Sequence, residues 1–210
     1  MTMNRRGILA VVSGFSGAGK GTVTRRLIEK YHCYALSVSV TSRKPRPGET
    51  EGEAYYFRTR EEIEKMIRDG DLIEHAEYVG NYYGTPRSYV EQKLDQGTDV
   101  ILEIEMQGAA SVRKLFPECV LIFVTPPDFD ELTYRLHGRG SESEEVIAKR
   151  MKRAVTECGY VKDYDYVVIN ETGKVEECVD RIHALIQSEH LRTARNMEFV
   201  QALGNKAERS

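Results

Sequence analysis

The feature that most constrains this chain is a glycine-rich segment near its N-terminus. Residues 14–20 read GFSGAGK and fit the pattern G-x-x-x-x-G-K. An apolar run over residues 8–13 precedes the segment, and residues 19–31 follow it with the periodicity of an amphipathic helix. Between a strand and a helix, this pattern predicts a phosphate-binding loop. We call residues 14–20 the phosphate loop.

The composition of the phosphate loop suits a polyphosphate. Small residues allow backbone N–H groups to turn inward around phosphate oxygens, and the following helix N-terminus adds donors and a positive dipole end. Lys20 adds a point charge between the β- and γ-phosphates. The loop therefore predicts nucleoside triphosphate binding, without choosing among kinases, GTPases and motors. The expected binding residues are Gly14, Phe15, Ser16, Gly17, Ala18, Gly19, Lys20, Gly21 and Thr22.

A magnesium site is expected beside this loop. The residue after the lysine is usually Ser or Thr, but here Gly21 occupies that position and Thr22 follows. Either Thr22 supplies the hydroxyl, or Mg²⁺ is held mostly through water and phosphate. In the apolar run 100–104, Glu103 and the next alternate residue, Glu105, fall on one side of a strand. The candidate metal residues are Thr22 and Glu103, the latter through water; pairing with a nearby arginine is the alternative role for both carboxylates.

Length and charge exclude several classes of protein. The chain has 210 residues, enough for one domain or for one core with a small insertion. With 30 basic and 33 acidic side chains, the net charge is −3, which argues against a nucleic-acid or membrane-surface protein. No apolar run approaches the roughly 18 residues of a membrane helix. The four cysteines lack metal-ligand spacing and are typical of reduced thiols, so we expect a cytoplasmic protein.

The order of apolar segments indicates an α/β fold. Buried strands are predicted at residues 8–13, 100–104, 120–124 and 166–169, and helices at 19–31, 86–96, 108–116, 129–136, 143–159 and 174–187. Alternating strands and helices predict a parallel sheet covered on both faces. Residues 38–85 break this rhythm: a basic turn, a strand at 54–58, a helix at 60–69, and strands at 72–79 and 82–85 predict a small α+β insertion.

Two further segments leave alternatives open. The stretch TSRKPRPGE, residues 41–49, concentrates Arg43, Lys44 and Arg46 in a loop stiffened by prolines. Arginine forks suit a phosphate dianion, so a second phosphate site competes with a solvated charged surface. The tail from residue 190 is expected to continue as helix to Leu203 and to end at Gly204. Whether its apolar positions pack on the core or on another subunit of a homo-oligomer stays open.

Together these motifs make the chain resemble the guanylate kinase family of P-loop nucleoside-monophosphate kinases. The matching stretches are SGFSGAGKGT, SVSVTSRKPRPGE, GEAYYF, LIEHAEYVGNYYGTP, ILEIEMQGA, RLHGRGSES and DYVVIN, in family order over residues 7–188. The resemblance implies a three-layer parallel-sheet core with a phosphate loop (7–37 and 86–188), a GMP-binding insertion (38–85) and a helical lid (137–155). Residues 189–210 would form a helical tail.

The resemblance also assigns the acceptor site. It places the GMP phosphate at Ser39, Arg43, Arg46, Tyr55 and Tyr83, the guanine at Glu74 and Thr85, and Glu105 near the GMP. The chemistry agrees, because guanine presents an N1–H and an exocyclic NH₂ that an ionised carboxylate accepts. Adenine presents an acceptor at N1 and would leave Glu74 unpaired.

The lid and the reaction follow from the same resemblance. Arg139 and Arg150 would close over the transferring phosphoryl group, and Asn170 would lie beside the adenine. With Lys20 and Arg43, these two arginines are the expected catalytic residues. The implied reaction is ATP + GMP → ADP + GDP with Mg²⁺, in purine nucleotide metabolism. Two alternatives remain: a non-catalytic guanylate-kinase-like module that binds phosphopeptides, and a monophosphate kinase for another base.

Overall fold

Two sheets organise the chain, whose computed structural model describes residues 5–78, 80–138 and 143–207. A five-stranded parallel sheet has the order β2-β7-β1-β8-β9, and a four-stranded sheet has the order β4-β3-β6-β5. In chain order the elements are β1 (Leu9–Gly14), α1 (Lys20–Tyr31), β2 (Tyr34–Leu36), β3 (Val40–Thr41), β4 (Tyr56–Phe57), α2 (Arg60–Asp69), β5 (Leu72–Tyr78), β6 (Asn81–Pro86), α3 (Arg87–Asp95), β7 (Asp99–Glu103), α4 (Met106–Leu115), β8 (Val120–Thr125), α5 (Phe129–Gly138), α6 (Glu144–Cys158), β9 (Tyr166–Ile169), α7 (Val175–Glu189) and α8 (Met197–Ala207). The predicted α/β class is confirmed.

Strand β1 is the centre of the parallel sheet, and its side chains serve both faces. Val12 packs with Leu27 of α1 and Ile182 of α7 on one face. Val11 packs with Val90 of α3 on the other. Alternation of side chains along a strand produces this division, and β1 is buried along its whole length. The result is the expected three-layer core, with helices on both sides of one sheet.

The register of the parallel strands fixes where the phosphate loop emerges. Val12 of β1 pairs with Glu103 of β7 on one side and with Ile122 of β8 on the other. The C-terminal ends of these three strands therefore lie side by side. In open α/β sheets, this edge is where ligands bind.

The insertion forms the second sheet around a small core of its own. Ile63 of α2 is buried with Val40 of β3 and Leu72 of β5. The helix starts at a capping box, in which the Thr59 side chain accepts from the Glu62 N–H and the Glu62 side chain accepts from the Thr59 N–H. Strands β2 and β3 were not predicted from the sequence, because three and two residues are too few to show an alternating pattern.

The C-terminal region differs from the prediction of one continued helix. Helix α7 ends at Glu189, and α8 starts anew at Met197 and runs past Gly204 to Ala207. The carbonyl of His190 accepts hydrogen bonds from Arg5 Nη1 at 3.1 Å and Asn196 Nδ2 at 2.9 Å. These side chains take the acceptor that a continuing helix would use, so the chain turns at this point. The exposed apolar side chains of α8 are Met197, Phe199, Val200 and Leu203.

Two further observations bear on the sequence predictions. The four cysteines, Cys33, Cys119, Cys158 and Cys178, are all unpaired. None of the helices in the described ranges is long and apolar enough to span a membrane.

A buried carboxylate at the opposite edge of the sheet ties the chain ends together, and we predict that its loss destabilises the fold. Asp99 accepts from the Ile8 N–H at 2.8 Å and lies 2.9 Å from His190 Nε2. Replacing it (Asp99→Ala) leaves both buried groups without an acceptor and should lower the free energy of unfolding by about 1–3 kcal/mol. Urea denaturation measures this change. The control Asp95→Ala removes an exposed partner of Arg6 and should change stability by less than about 0.5 kcal/mol; equal effects would contradict the prediction.

Candidate active site

The phosphate loop is held open by contacts to its own carbonyl groups. Lys20 Nζ donates to the carbonyl oxygens of Gly14 at 2.6 Å and Phe15 at 3.2 Å, so the ammonium lies over the loop. Gly19 adopts φ 90°, a left-handed conformation that favours glycine, immediately before α1. The Phe15 ring is buried edge-on against Phe123, with centroids 4.9 Å apart. The Phe15 ring thus anchors one side of the loop in the apolar core.

A second group of contacts comes from the end of β9 and from α5. Asn170 Nδ2 donates to the Ala18 carbonyl at 2.9 Å. Arg135 donates to the same carbonyl at 3.3 Å and to the carbonyl of Asn170 at 2.7 Å. Glu131, one turn earlier on α5, accepts from Arg135 Nε at 2.8 Å and orients it. The structure therefore places the side-chain amide of Asn170 against the phosphate loop; its expected contact with adenine stays a prediction.

The two strand-end carboxylates occupy different surroundings beside the loop. Glu103 ends β7, and burial raises its pKa above the ordinary value while the nearby Lys20 ammonium acts in the opposite direction. Glu105 is the N-cap residue of α4, and its Oε1 lies 3.9 Å from Lys20 Nζ. Its Oε2 accepts from Arg153 of α6 at 3.1 Å. Glu105 thus connects the phosphate-loop lysine with the helix that follows residues 139–142.

One of the two expected lid arginines, Arg150, lies within the described residues. Arg150 Nη1 on α6 donates to the Ser16 hydroxyl of the phosphate loop; its expected role at the transferring phosphoryl group stays a prediction. Arg139 lies outside the described residues. Met151 on the same helix packs with Leu132 and Leu136 of α5 in the core that contains Phe15. Helix α6 and the loop therefore share one hydrophobic support.

The basic loop of the insertion is organised by a carboxylate. Glu49 Oε1 accepts from Arg43 Nη2 at 2.8 Å, and Glu49 Oε2 accepts from the Arg46 N–H at 2.7 Å. This hydrogen bond to Glu49 raises the pKa of the Arg43 guanidinium and lowers the pKa of the Glu49 carboxyl. Arg43 Nη1 also donates to the carbonyl of Lys44. One acidic side chain thus fixes both arginines of the loop relative to each other.

Two tyrosines stand beside this loop. The Arg43 guanidinium carbon lies 5.4 Å from the ring centroid of Tyr55, and the Tyr55 and Tyr83 centroids are 5.9 Å apart at 67°. The structure thus brings together three of the five residues expected at the GMP phosphate. Ser39 is half-buried just before β3, and the Arg46 side chain is exposed.

The pair expected to contact guanine lies on the two antiparallel strands β5 and β6. Thr85 Oγ1 on β6 donates to Glu74 Oε1 on β5 at 2.7 Å, and Thr85 is fully buried. Burial raises the pKa of the Glu74 carboxyl, which the hydrogen bond from Thr85 partly opposes. A Cβ on Gly108 would lie 3.3 Å from Glu74 Oε2. Helix α4, which begins after Glu105, therefore runs directly beside Glu74 and joins the insertion to the phosphate-loop side.

The donor set of a metal site is limited. Within the described residues, no group of three or more His, Cys, Asp or Glu side chains could hold a metal ion. Magnesium is commonly bound through one or two carboxylates together with substrate phosphates and water. Glu103 at the end of β7 and Thr22 in the first turn of α1 are both exposed, and each offers an oxygen donor near the phosphate loop.

Comparison with known proteins assigns this chain to a family. The model of the family described as guanylate kinase matches residues 6–189. The chain belongs to the guanylate kinase family. The match covers both sheets, the phosphate loop and helix α7, and so includes every element that carries a candidate site residue.

Individual guanylate kinases are similar over nearly their whole length. The guanylate kinase of Lactococcus lactis is 53% identical over 196 residues, which cover 93% of this chain and 95% of that protein. The guanylate kinase of Streptococcus thermophilus is 52% identical over 194 residues, 92% of each chain. The crystal structure of guanylate kinase from Anaplasma phagocytophilum has a TM-score of 0.69 at 36% identity, covering 90% of this chain and 89% of that one.

Several residues that organise this guanylate kinase site were not predicted from the sequence. Glu49 and Arg135 lie within motifs quoted above, and Arg153 lies within the predicted helix 143–159. Their partners are set by the folded chain. The i,i+4 spacing of Glu131 and Arg135 was a usable local signal. The Arg153–Glu105 contact joins residues 48 positions apart, and the sequence offers no signal for it.

We predict that the amide of Asn170 supports nucleotide binding by holding the phosphate loop. Asn170→Ala removes the hydrogen bond to the Ala18 carbonyl and should weaken ADP binding about three- to tenfold, since one hydrogen bond contributes about 0.5–1.5 kcal/mol. Isothermal titration calorimetry measures the dissociation constant. The control Asn196→Ala removes similar bonds to carbonyl groups in the tail and should not change ADP affinity. An unchanged affinity in a folded Asn170→Ala protein would contradict this role.

Proposed function

We propose that the chain transfers the γ-phosphoryl group of ATP to GMP and produces ADP and GDP. The observation that carries the proposal is the Glu74–Thr85 pair, a half-buried carboxylate beside α4 that accepts from a buried hydroxyl, in a chain that belongs to the guanylate kinase family. The reaction would serve purine nucleotide metabolism by converting GMP to GDP. The four unpaired cysteines are consistent with a reducing, cytoplasmic setting.

The donor nucleotide would bind at the phosphate loop. Residues 14–22 and Asn170 are the proposed ATP-binding residues, with backbone N–H groups and the start of α1 surrounding the phosphates. Lys20 is the proposed point charge on the β- and γ-phosphates. Its present contacts with the Gly14 and Phe15 carbonyls keep the ammonium over the loop before the nucleotide arrives.

The acceptor would bind in the insertion. Arg43, Arg46, Ser39, Tyr55 and Tyr83 are the proposed contacts to the GMP phosphate, and Arg43 offers a planar fork for bidentate bonds. Glu74 and Thr85 are the proposed contacts to guanine, with Glu105 nearby. Glu74 Oε1 already accepts from Thr85, and the remaining lone pairs of the carboxylate are suited to the two N–H donors of guanine.

Mg²⁺ is proposed as the cofactor of the donor site. The oxygen donors at this edge of the sheet, Glu103 in particular, fit a magnesium ion that is otherwise bound by phosphate and water. Thr22, the second residue expected at the metal, is the alternative protein ligand. When bound with ATP, Mg²⁺ would neutralise negative charge on the phosphate oxygens.

Catalysis would depend on positioning and electrostatics. The α-phosphate oxygen of GMP attacks the γ-phosphorus of ATP in line, and no protein nucleophile is needed. Lys20, Arg43, Arg139 and Arg150 are the proposed catalytic residues because their charges oppose the negative charge on the transferring group. Closure of the lid around Arg150 would exclude water, which otherwise competes with GMP for the phosphoryl group.

A comparison of acceptors tests the proposal. ADP formation from ATP and Mg²⁺ is measured in a coupled assay with GMP, AMP, dAMP or UMP as the second substrate. We expect GMP to be preferred by a factor on the order of 10⁴ in kcat/KM, because the other bases leave a buried polar group unpaired. Phosphorylation of AMP as fast as GMP would contradict the guanine assignment, and no turnover with any acceptor would favour a phosphopeptide-binding module.

Guanine recognition by an ionised Glu74 makes the affinity for GMP depend on pH. Because burial raises the pKa of this carboxyl above 4.5, it should gain a proton at a higher pH than an ordinary glutamic acid. The protonated form has lost acceptor capacity, so the KM for GMP should rise as the pH falls through the raised pKa. The GMP phosphate titrates near pH 6 as well, and the variant Glu74→Gln isolates that contribution. Parallel profiles for the two proteins would contradict the prediction.

Glu49 should position Arg43 for the GMP phosphate. Glu49→Gln leaves one weaker acceptor and should raise the KM for GMP roughly three- to tenfold without changing the KM for ATP, since a charge-assisted bond is about twice as strong as a neutral one. The matched control is Glu51→Gln, because Glu51 accepts from one backbone N–H, that of Phe57, and from Arg58. A lower KM for GMP in Glu49→Gln would show that Glu49 competes with the phosphate for Arg43.

A further inference from the structure

The loop lacks a hydroxyl at the position where phosphate loops supply a metal ligand. The residue after the loop lysine is ordinarily Ser or Thr, whose hydroxyl binds Mg²⁺. Here it is Gly21, in the first turn of α1. A glycine at this position gives up helix stability relative to other residues. Some other group must therefore provide the oxygen, or the metal loses one protein contact.

A carboxylate lies close to the space that this hydroxyl would occupy. A Cβ placed on Gly21 would be 3.4 Å from Oε1, 3.7 Å from Oε2 and 4.0 Å from Cδ of Glu103. A serine hydroxyl would project from that same Cβ. At Gly19, the corresponding neighbour is the Asn170 amide nitrogen, which is a donor and not a metal ligand. Of the two glycines Gly19 and Gly21, Gly21 is the one whose Cβ would face an anionic oxygen.

The length of the Glu103 side chain matters for this contact. The backbone of Glu103 is fixed at the end of β7 by its register with Val12 of β1. Strand β7 cannot shift along β1 without breaking the hydrogen bonds between the two strands. The distance from the Glu103 backbone to α1 is therefore bridged by the Glu103 side chain alone. An aspartate on the same backbone is shorter by one methylene group, and its carboxylate would stop short of Gly21.

Helix geometry disfavours Thr22 as the replacement. Consecutive residues on an α-helix point in directions about 100° apart and do not face one another. Glu103 lies beside the Cβ position of Gly21, so the side chain of the neighbouring Thr22 leaves α1 in a different direction. Thr24 is the buried hydroxyl residue on this helix, and it lies one residue beyond Val23, in the second turn.

We propose that Glu103 takes the place of the missing hydroxyl at position 21 and binds the metal of the metal–nucleotide complex directly. Gly21 and Glu103 then form a functional pair: the glycine leaves the space, and the longer acidic side chain fills it with an oxygen ligand. The inference rests on the proposed function only in requiring a nucleotide in the phosphate loop. It makes Glu103, and not Thr22, the residue that determines metal affinity.

The test is a set of reciprocal variants with Mn²⁺ as the probe. The dissociation constant of Mn²⁺ from the complex with ADP is measured by electron paramagnetic resonance, for the unchanged chain, Glu103→Asp, Gly21→Ser, and the double variant. We expect Glu103→Asp to weaken Mn²⁺ binding on the order of tenfold or more. Adding Gly21→Ser to it restores a hydroxyl and should recover most of the affinity. ADP affinity without metal is measured for every protein of the set, so that an effect on nucleotide binding is separated from an effect on Mn²⁺ binding.

Two controls separate ligation from general effects. Glu177→Asp shortens an exposed acid on α7 that pairs with Arg181 at 3.6 Å and should not change Mn²⁺ affinity. Glu103→Gln keeps the length of the side chain but removes its charge, and it should also weaken Mn²⁺ binding. It provides the test if Glu103→Asp does not fold. The proposal is overturned if Mn²⁺ affinity is unchanged in Glu103→Asp and Glu103→Gln while Thr22→Val lowers it, or if the double variant shows no recovery.

The experiment is independent of the acceptor. Mn²⁺ binding to the ADP complex does not involve GMP, so a failure of the guanine assignment would leave this measurement intact. Conversely, an unchanged Mn²⁺ affinity in the Glu103 variants of a protein that phosphorylates GMP would contradict only the pairing of Gly21 with Glu103.

Discussion

The phosphate loop keeps its shape because its carbonyl groups are bound by side chains of the same molecule. Lys20 donates to two of them, and Asn170 and Arg135 donate to the Ala18 carbonyl. With these carbonyl groups occupied, N–H groups of the loop can turn toward phosphate oxygens, apart from that of Ala18, which donates to the Phe15 carbonyl at 3.0 Å. The register of β1 between β7 and β8 then determines which other residues can reach the loop, including Glu103, Glu105 and, through α6, Arg150.

The cations of the site are held by carboxylates before any nucleotide binds. Arg43 pairs with Glu49, and Glu105 lies near both Lys20 and Arg153. The chain has a net charge of −3, yet its site is proposed to bind two polyanions. The pairing of the site's cations with carboxylates explains how both can be true. Paired cations pay less conformational entropy when they bind phosphate, because their side chains are already ordered. Nucleotide binding on this account adds phosphate oxygens to cations that carboxylates of the chain already hold in position.

The parts that could be predicted from sequence are those specified by local pattern. The apolar periodicity of residues 8–13 and the spacing of the glycines were sufficient for β1 and the loop. Strands β2 and β3 were missed because they are short, and the break after Glu189 depends on Arg5, which is 185 positions from His190. The partners of Arg43 and Glu105 are likewise set by tertiary structure. Sequence could indicate which residues carry charge, but not which charges meet.

The central claim is that the phosphate loop is the phosphoryl donor site and that Lys20 stabilises charge there. The most direct measurement is the turnover of ATP with GMP in Lys20→Met, with circular dichroism and thermal unfolding as checks of the fold. Loss of one preorganised charge at a transferring phosphoryl group should reduce kcat by about a hundredfold or more, while secondary structure stays unchanged. A folded Lys20→Met protein with near-normal turnover would contradict the account.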